Sequence, residues 1–395
     1  MKILILNGTI SEIPIIKIAQ EMGHYVVTSG NMPELPGHKV ADEYIPEDYS
    51  DKEAILKLVK DNGIEGIVSC ANDFGVITSA YVAEQMNWKG HDTYKNAMLM
   101  HHKDEFRDYF VKMGFPTPSF AAFDDIAAAQ RYCDECEYPI IVKASDMTGG
   151  KGIRRADNKT EAYDAVRYSF EASRSRHILI EQFLEGVQQS IVVFLINKKV
   201  AVTSSSNIYC MKNPYLVQAE TYPAENFDAV KPKLHEIMQA MAEDLVLVDG
   251  ILSFQYIVRN GVPYVIDMMR RCFGNETLQL SSAMTGFPFE EAYVRAALGG
   301  DVSGITRGLP RFRFCGHYGV MAPENGFLES WSLPEDIKSR TFKTLVNILP
   351  GQEIHNCMNE KIANIYFTYD DMEQMNREIV GYNDRVPVSV RKISK

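Results

Sequence analysis

Apolar positions in the first hundred residues follow two alternating periods. Lys2–Leu6 is a nearly unbroken apolar run, as expected of a strand buried on both faces. Ile13, Ile16 and Ala19 follow at helical spacing up to Met22. Tyr25–Thr28 and Ile64–Ser69 read as further strands, Glu53–Lys60 as a helix, and Gly75–Met86 as another helix through Val76, Ala80, Ala83 and Met86. Strands separated by helices predict a parallel sheet covered on both faces. A Rossmann-like domain is therefore expected over residues 1–100. The turn Asn7-Gly8-Thr9-Ile10 lacks the spaced glycines that bring a dinucleotide pyrophosphate onto the backbone, so nicotinamide binding is not expected there.

After the stretch from Lys103, Gly114-Phe115-Pro116-Thr117-Pro118 stops a helix and extends the chain. A helix, a strand (Pro139–Ala144), a glycine-rich loop, a helix (Thr160–Ser173) and a strand (His177–Ile180) follow. Beyond Gly186 the pattern turns to long β-rich runs: Ser190–Ile196, Val200–Ser205, Leu252–Val258 and Pro263–Met268. Gly299-Gly300-Asp301 reads as a boundary, with a smaller α+β module after it built on pieces such as Arg311–Val320 and Ala363–Thr368. The expected organisation is thus 1–100, 101–300 (with a subdomain at about 121–185) and 301–395, an α/β and α+β protein.

No apolar run approaches the length of a membrane span, and Met1–Leu6 lacks the long apolar core of a signal peptide. A net charge of −11 argues against general affinity for nucleic acid or anionic membranes. A cytoplasmic protein is expected. Its 7 cysteines are an odd, scattered set rather than a disulfide framework, and Cys133 and Cys136 form a CxxC with no second pair, so they read as reduced thiols in a helix.

The residues that carry chemistry cluster after Pro139. The strand Pro139-Ile140-Ile141-Val142-Lys143-Ala144 ends with a lysine at a sheet edge, followed by Thr148-Gly149-Gly150-Lys151-Gly152-Ile153. Glycines let backbone N–H groups bend inward around phosphate oxygens, and lysine adds a point charge. Alone, the pattern fits a phosphate loop or a mobile hairpin. Further on, Ile178-Leu179-Ile180 breaks into Glu181-Gln182-Phe183-Leu184, either an edge that meets a planar base or a strand ending in a polar turn.

In this order and at this separation, the motifs resemble the ATP-grasp superfamily, in particular its branch of purine-biosynthetic carboxylases and ligases, biotin carboxylase and carbamoyl phosphate synthetase. The resemblance covers nearly the whole chain and extends to His102-Lys103-Asp104, Phe115-Pro116-Thr117-Pro118 and Thr285-Gly286-Phe287-Pro288 through Gly299. It implies an ATP-grasp fold with a pre-ATP-grasp front domain and ATP and Mg²⁺ as cofactors. Lys103 and Lys143 would hold the α- and β-phosphates, and Gly149, Gly150, Lys151 and Gly152 would fold over the γ-phosphate. Glu181, Gln182, Phe183 and Leu184 would meet the adenine, and Gln188 the ribose. Arg271 would stabilise the transferring phosphoryl group. Gln255 and Asp267 would hold the metal; the family has an acidic residue where Gln255 stands, and Met269 offers only a soft thioether.

Acceptor-side candidates are Asn7, Thr9, Ser11, Ser29–Asn31 and Asn72-Asp73 at the carboxyl ends of the front-domain strands, with Arg311, Arg313 and His317 from the C-terminal part. The implied activity is ADP-forming ligation of a small carboxylate to an amine through an acyl phosphate. A homodimer is a possible assembly. The alternatives are a nucleotide-binding regulatory subunit without turnover and a small-molecule kinase on the same fold.

Overall fold

The computed structural model describes residues 1–147 and 149–392, so Thr148 lies outside the described residues. Strands β1 (Lys2–Leu6), β2 (Tyr25–Ser29), β3 (Glu43–Tyr44) and β4 (Gly66–Ser69) form the parallel sheet that the alternating pattern requires, in the order β3-β2-β1-β4. Helix Ile13–Glu21 connects β1 to β2, helix Lys52–Asp61 connects β3 to β4, and helix Asp73–Met86 follows β4. Asp51 accepts the N–H groups of Glu53 and Ala54, and Asn72 accepts that of Gly75; these caps fix where two of the helices begin. Ile15, Ile16 and Ala19 share one buried core with Phe289, Val294 and Ala297 from much later in the chain. The front sheet is thereby tied to the rest of the molecule.

A second sheet holds β5 (Phe120–Phe123), β6 (Ile140–Ala144), β7 (Ile153–Ala156) and β8 (Ile178–Gln182), all antiparallel, in the order β5-β8-β6-β7. Helices Ile126–Cys133 and Lys159–Ala172 cover one face through Ala129, Cys133, Ala162 and Val166. Burial pushes the Cys133 thiol up to about 12, as expected of a thiol packed in this core.

The central sheet contains β9 (Val187–Ile196), β10 (Lys199–Tyr209), β11 (Ala219–Tyr222), β12 (Gly250–Arg259), β13 (Val262–Met269) and β14 (Phe314–Met321). Of the strands that follow, β15 (Gly326–Trp331), β17 (Glu353–Ile354) and β19 (Val388–Arg391) make a small separate sheet, whereas β16 (Thr341–Val346) and β18 (Lys361–Tyr369) join the central one. Its order is β13-β12-β9-β10-β11-β14-β18-β16. Strands from the module expected after residue 301 thus extend the central sheet: β11 pairs directly with β14, Glu220 opposite His317. The glycine pair at 299–300 ends a helix without ending the sheet, because strand order is decided by long-range pairing. Among the described residues, no helix is long and apolar enough to cross a membrane.

Candidate active site

A cavity of about 530 Å³ lies between the β5–β8 sheet and the central sheet. Its wall brings together Lys103, Lys143, Gly149, Gly150, Phe183, Leu184, Gln188, Gln255, Asp267 and Arg271, which are scattered over 169 positions of sequence from 103 to 271. Lys151, Gly152, Glu181 and Gln182 are not on it. Lys151 and Gln182 are exposed, while Gly152 and Glu181 are buried.

The two lysines arrive from different elements. Lys103 opens the helix Lys103–Met113, and its Nζ donates to the Met147 carbonyl at 2.7 Å. Lys143 comes from β6 and meets Glu181 Oε2 at 2.5 Å. Glu181 Oε1 takes Arg107 Nε at 2.5 Å, and Arg107 Nη1 donates to the Val265 carbonyl at 2.5 Å. Burial favours the neutral acid at Glu181, but Arg107 and Lys143 prevail and hold it at about 2. Lys143 is lowered from the ordinary lysine value by burial, with Arg107 beside it, despite the attraction of Glu181. The Glu181 carboxylate is thus committed to two cations, as a buried charge must be, and of the four residues Glu181–Leu184 it is Phe183 and Leu184 that line the cavity. Arg107 was not foreseen. Its signal is the spacing of one helical turn from Lys103, which puts both on one face.

The glycine loop is held closely. Gly150 has φ +75°, and a Cβ there would stand 2.4 Å from the Tyr215 carbonyl oxygen. Gly152 has φ +65°, and its Cβ would stand 2.8 Å from that of Ala144. Both positions demand glycine. The Tyr215 hydroxyl accepts the Arg155 N–H at 2.7 Å, so the 214–217 segment, also unforeseen, closes one side of the cavity. The Arg155 guanidinium lies 4.3 Å from the centre of the Phe183 ring. With Ile141, Ile153, Leu184, Ile257 and Ile266 these groups form an apolar slot suited to a planar ring.

Gln255 and Asp267 face each other across β12 and β13. Gln188 Nε2 donates to Gln255 Oε1 at 3.3 Å, which orients the Gln255 amide. No group of three or more His, Cys, Asp or Glu residues is placed to hold a metal by itself among the described residues. The donor set still suits Mg²⁺. One carboxylate and one amide oxygen are hard ligands, and Mg²⁺ normally takes few protein ligands and completes its octahedron with phosphate oxygens and water.

Arg271 is bound more tightly than expected. Its Nε and Nη2 donate to Asp73 Oδ1 and Oδ2 at 2.7 and 2.8 Å, and Nη1 donates to the Cys272 carbonyl at 3.0 Å. Burial works against the Asp73 charge, but Arg271 outweighs it and keeps the carboxyl below its ordinary value. Asp73, expected as an acceptor-side residue, is therefore the partner that sets the Arg271 fork, and it also lines the cavity. Of the other acceptor-side candidates, Ser11 Oγ accepts the Asn275 N–H at 3.1 Å, Thr9 and Asn72 are helix caps, and Asn7 and Ser29 are buried off the cavity wall. Arg311 and Arg313 are exposed and stack on Phe312 and Phe314. His317 is wholly buried inside the sheet.

Residues 102–210 match the family model described as phosphoribosylglycinamide synthetase, ATP-grasp (A) domain. A phosphoribosylamine–glycine ligase from Fusobacterium nucleatum is 25% identical over 202 residues, 46% of this chain and 46% of that protein. Less than half of that relative's length is thus matched. In structure, the chain resembles an L-amino acid ligase from Bacillus licheniformis with a TM-score of 0.81 at 19% identity, covering 99% of both chains. It also resembles the biotin carboxylase domain of the Hydrogenobacter thermophilus 2-oxoglutarate carboxylase, in complex with MgADP and bicarbonate, with a TM-score of 0.75 at 19% identity over 98% of this chain and 91% of that one.

Proposed function

The chain is a member of the ATP-grasp superfamily in fold, and from that premise we propose that it is an ADP-forming ligase joining a small carboxylate to an amine. The observation that carries this reading is the single cavity in which an apolar ring slot, two lysines, a glycine loop and a facing Gln255–Asp267 pair are continuous with an arginine fork. In this reading Lys103 and Lys143 hold phosphate oxygens, and Phe183, Leu184 and Arg155 enclose the base. Asp267 and Gln255 would hold Mg²⁺. That ion, when bound, neutralises phosphate charge and orients the transferred group. Arg271, fixed by Asp73, presents a planar cation to the phosphoryl oxygens. The carboxylate substrate takes the phosphoryl group, ADP leaves, and an amine displaces phosphate from the acyl phosphate.

The test is hydroxylamine trapping. With ATP, Mg²⁺ and a panel of small carboxylates, the purified protein is expected to form a hydroxamate and release ADP in equal amounts, with at least one member of the panel. ADP release with a stable phosphorylated product would indicate a kinase. Tight ATP binding without carboxylate-dependent ADP would indicate a regulatory nucleotide-binding subunit, the reading that Gln255 in place of an acid favours.

Lys143→Ala is expected to weaken ATP binding about tenfold, the loss of one charged phosphate contact. Isothermal titration checks this. Unchanged affinity would remove Lys143 from the phosphate site.

A further inference from the structure

The cavity wall carries the acids Asp73, Asp267 and Glu220. Asp73 is neutralised by Arg271 and Asp267 stands in the candidate metal pair. Glu220 is different. It projects from β11, is 7% exposed, and among the described residues no lysine or arginine nitrogen comes within salt-bridge distance of it. Glu220 Oε1 accepts from Ser206 Oγ at 2.9 Å and from the Tyr222 hydroxyl at 3.3 Å. Oε2 lies 3.9 Å from His317 Nδ1, with the Thr277 side chain also beside the carboxylate, and among the described residues that ring nitrogen is buried without any hydrogen-bond partner. Lys361, the nearest cation in charge terms, directs its Nζ to the Val217 carbonyl at 2.8 Å.

A buried carboxylate held by hydroxyl groups and by no salt bridge to lysine or arginine is costly unless a cation completes it. Burial accordingly raises the Glu220 carboxyl above its ordinary value. No third acidic, histidine or cysteine ligand stands with Glu220 and His317 among the described residues. The missing partner is a compact cation with N–H donors. The segment from Arg271 to Thr277 lines the same cavity and leads from the arginine fork to Glu220, which Thr277 contacts. The acid thus shares a cavity wall with the arginine fork.

We propose that Glu220 recognises the amine-bearing acceptor, its carboxylate on the cavity wall taking the cationic nitrogen of that substrate. This rests on the ligase reading above. It explains why a strand otherwise filled with uncharged side chains carries a buried acid whose nearest protein cation, Lys361, gives its Nζ to the Val217 carbonyl instead.

The experiment compares Glu220→Gln with the wild-type chain using two kinds of nucleophile under mildly alkaline conditions. One is hydroxylamine, uncharged there. The other is a panel of ammonium chloride and the proteinogenic amino acids, which keep cationic nitrogen. For amines that the wild type accepts, Glu220→Gln is expected to raise the KM about tenfold with the KM for ATP unchanged. The ratio of amine-dependent to hydroxylamine-dependent turnover should fall by a similar factor. Glu220→Asp keeps the charge but retracts it by one methylene, should give an intermediate ratio, and stands in should the glutamine variant not fold. An unchanged ratio, or equal loss with both nucleophiles, overturns the role of Glu220 while leaving the ligase reading intact. A wild-type chain that makes no hydroxamate and uses no amine overturns both.

Discussion

Arg107→Ala is expected to destabilise the folded chain by about 3–5 kcal/mol, the cost of leaving a buried carboxylate without its better partner. Arg107 is 1% exposed and joins three pieces of the molecule: the helix it stands on, Glu181 on β8, and the Val265 carbonyl on β13. Its loss loosens the contact between the β5–β8 sheet and the central sheet, where the cavity lies. The pH dependence identifies the cause. In the wild type Glu181 is held at about 2 against an ordinary value of 4.5. A depressed carboxyl contributes stability that is present above 4.5 and is lost as pH falls towards 2. Without Arg107, desolvation is opposed by Lys143 alone, so the folded-state value rises and this acid-sensitive contribution shrinks. Urea unfolding between pH 3 and 7 should therefore show a lower plateau and a flatter acid limb for the variant. Arg107→Lys, which keeps the charge but cannot reach Glu181 and Val265 together, should fall between. A parallel downward shift at all pH values would mean that Arg107 acts by packing and not through Glu181.

These long-range ion pairs mark the limit of what the sequence discloses. That Lys143, Gly149 and Gly150 share a cavity wall is legible because a strand, its terminal charge and a glycine loop are adjacent in the chain, and Ser190–Ile196 or Pro263–Met268 because apolar runs state their own burial. The facing of Gln255 and Asp267 follows once two such strands form a hairpin. The partners of Glu181 and Arg271 lie 74 and 198 positions away, and nothing local selects them. Glu181 reads in the sequence as part of a base-binding edge, and only the fold shows that its side chain pairs with Arg107 and Lys143. Glu220 was invisible for a related reason. In β11 it sits between Ala219 and Thr221 as one polar residue of a short strand, and only the fold shows that its nearest cation, Lys361, turns to the Val217 carbonyl instead. The same holds for β14 and β18, whose return to the central sheet is set by pairing with β11 and not by the glycines near residue 300.

The Asp73–Arg271 pair has the second large expected consequence. Arg271 belongs to the segment that leaves β13, Asp73 begins a front-domain helix, and both line the cavity. Their bidentate contact fixes the plane of the guanidinium and so the direction in which its charge is presented. Asp73→Asn retains the shape but removes the charge and one acceptor, leaving the fork free to rotate. The expected result is a fall in kcat of about a hundredfold, the scale of losing one aligned donor to a developing anion, with little change in the KM for ATP. Hydroxamate-coupled ADP release, assayed well below the unfolding temperature of the variant, measures both constants. The split between them separates positioning from architecture: a variant that merely loosened the front domain would weaken ATP and slow turnover together. If instead kcat rises, the pair restrains Arg271, and phosphoryl transfer requires the fork to leave Asp73. Either outcome fixes the part played by the front domain, because Asp73 is the residue through which that domain grips the arginine.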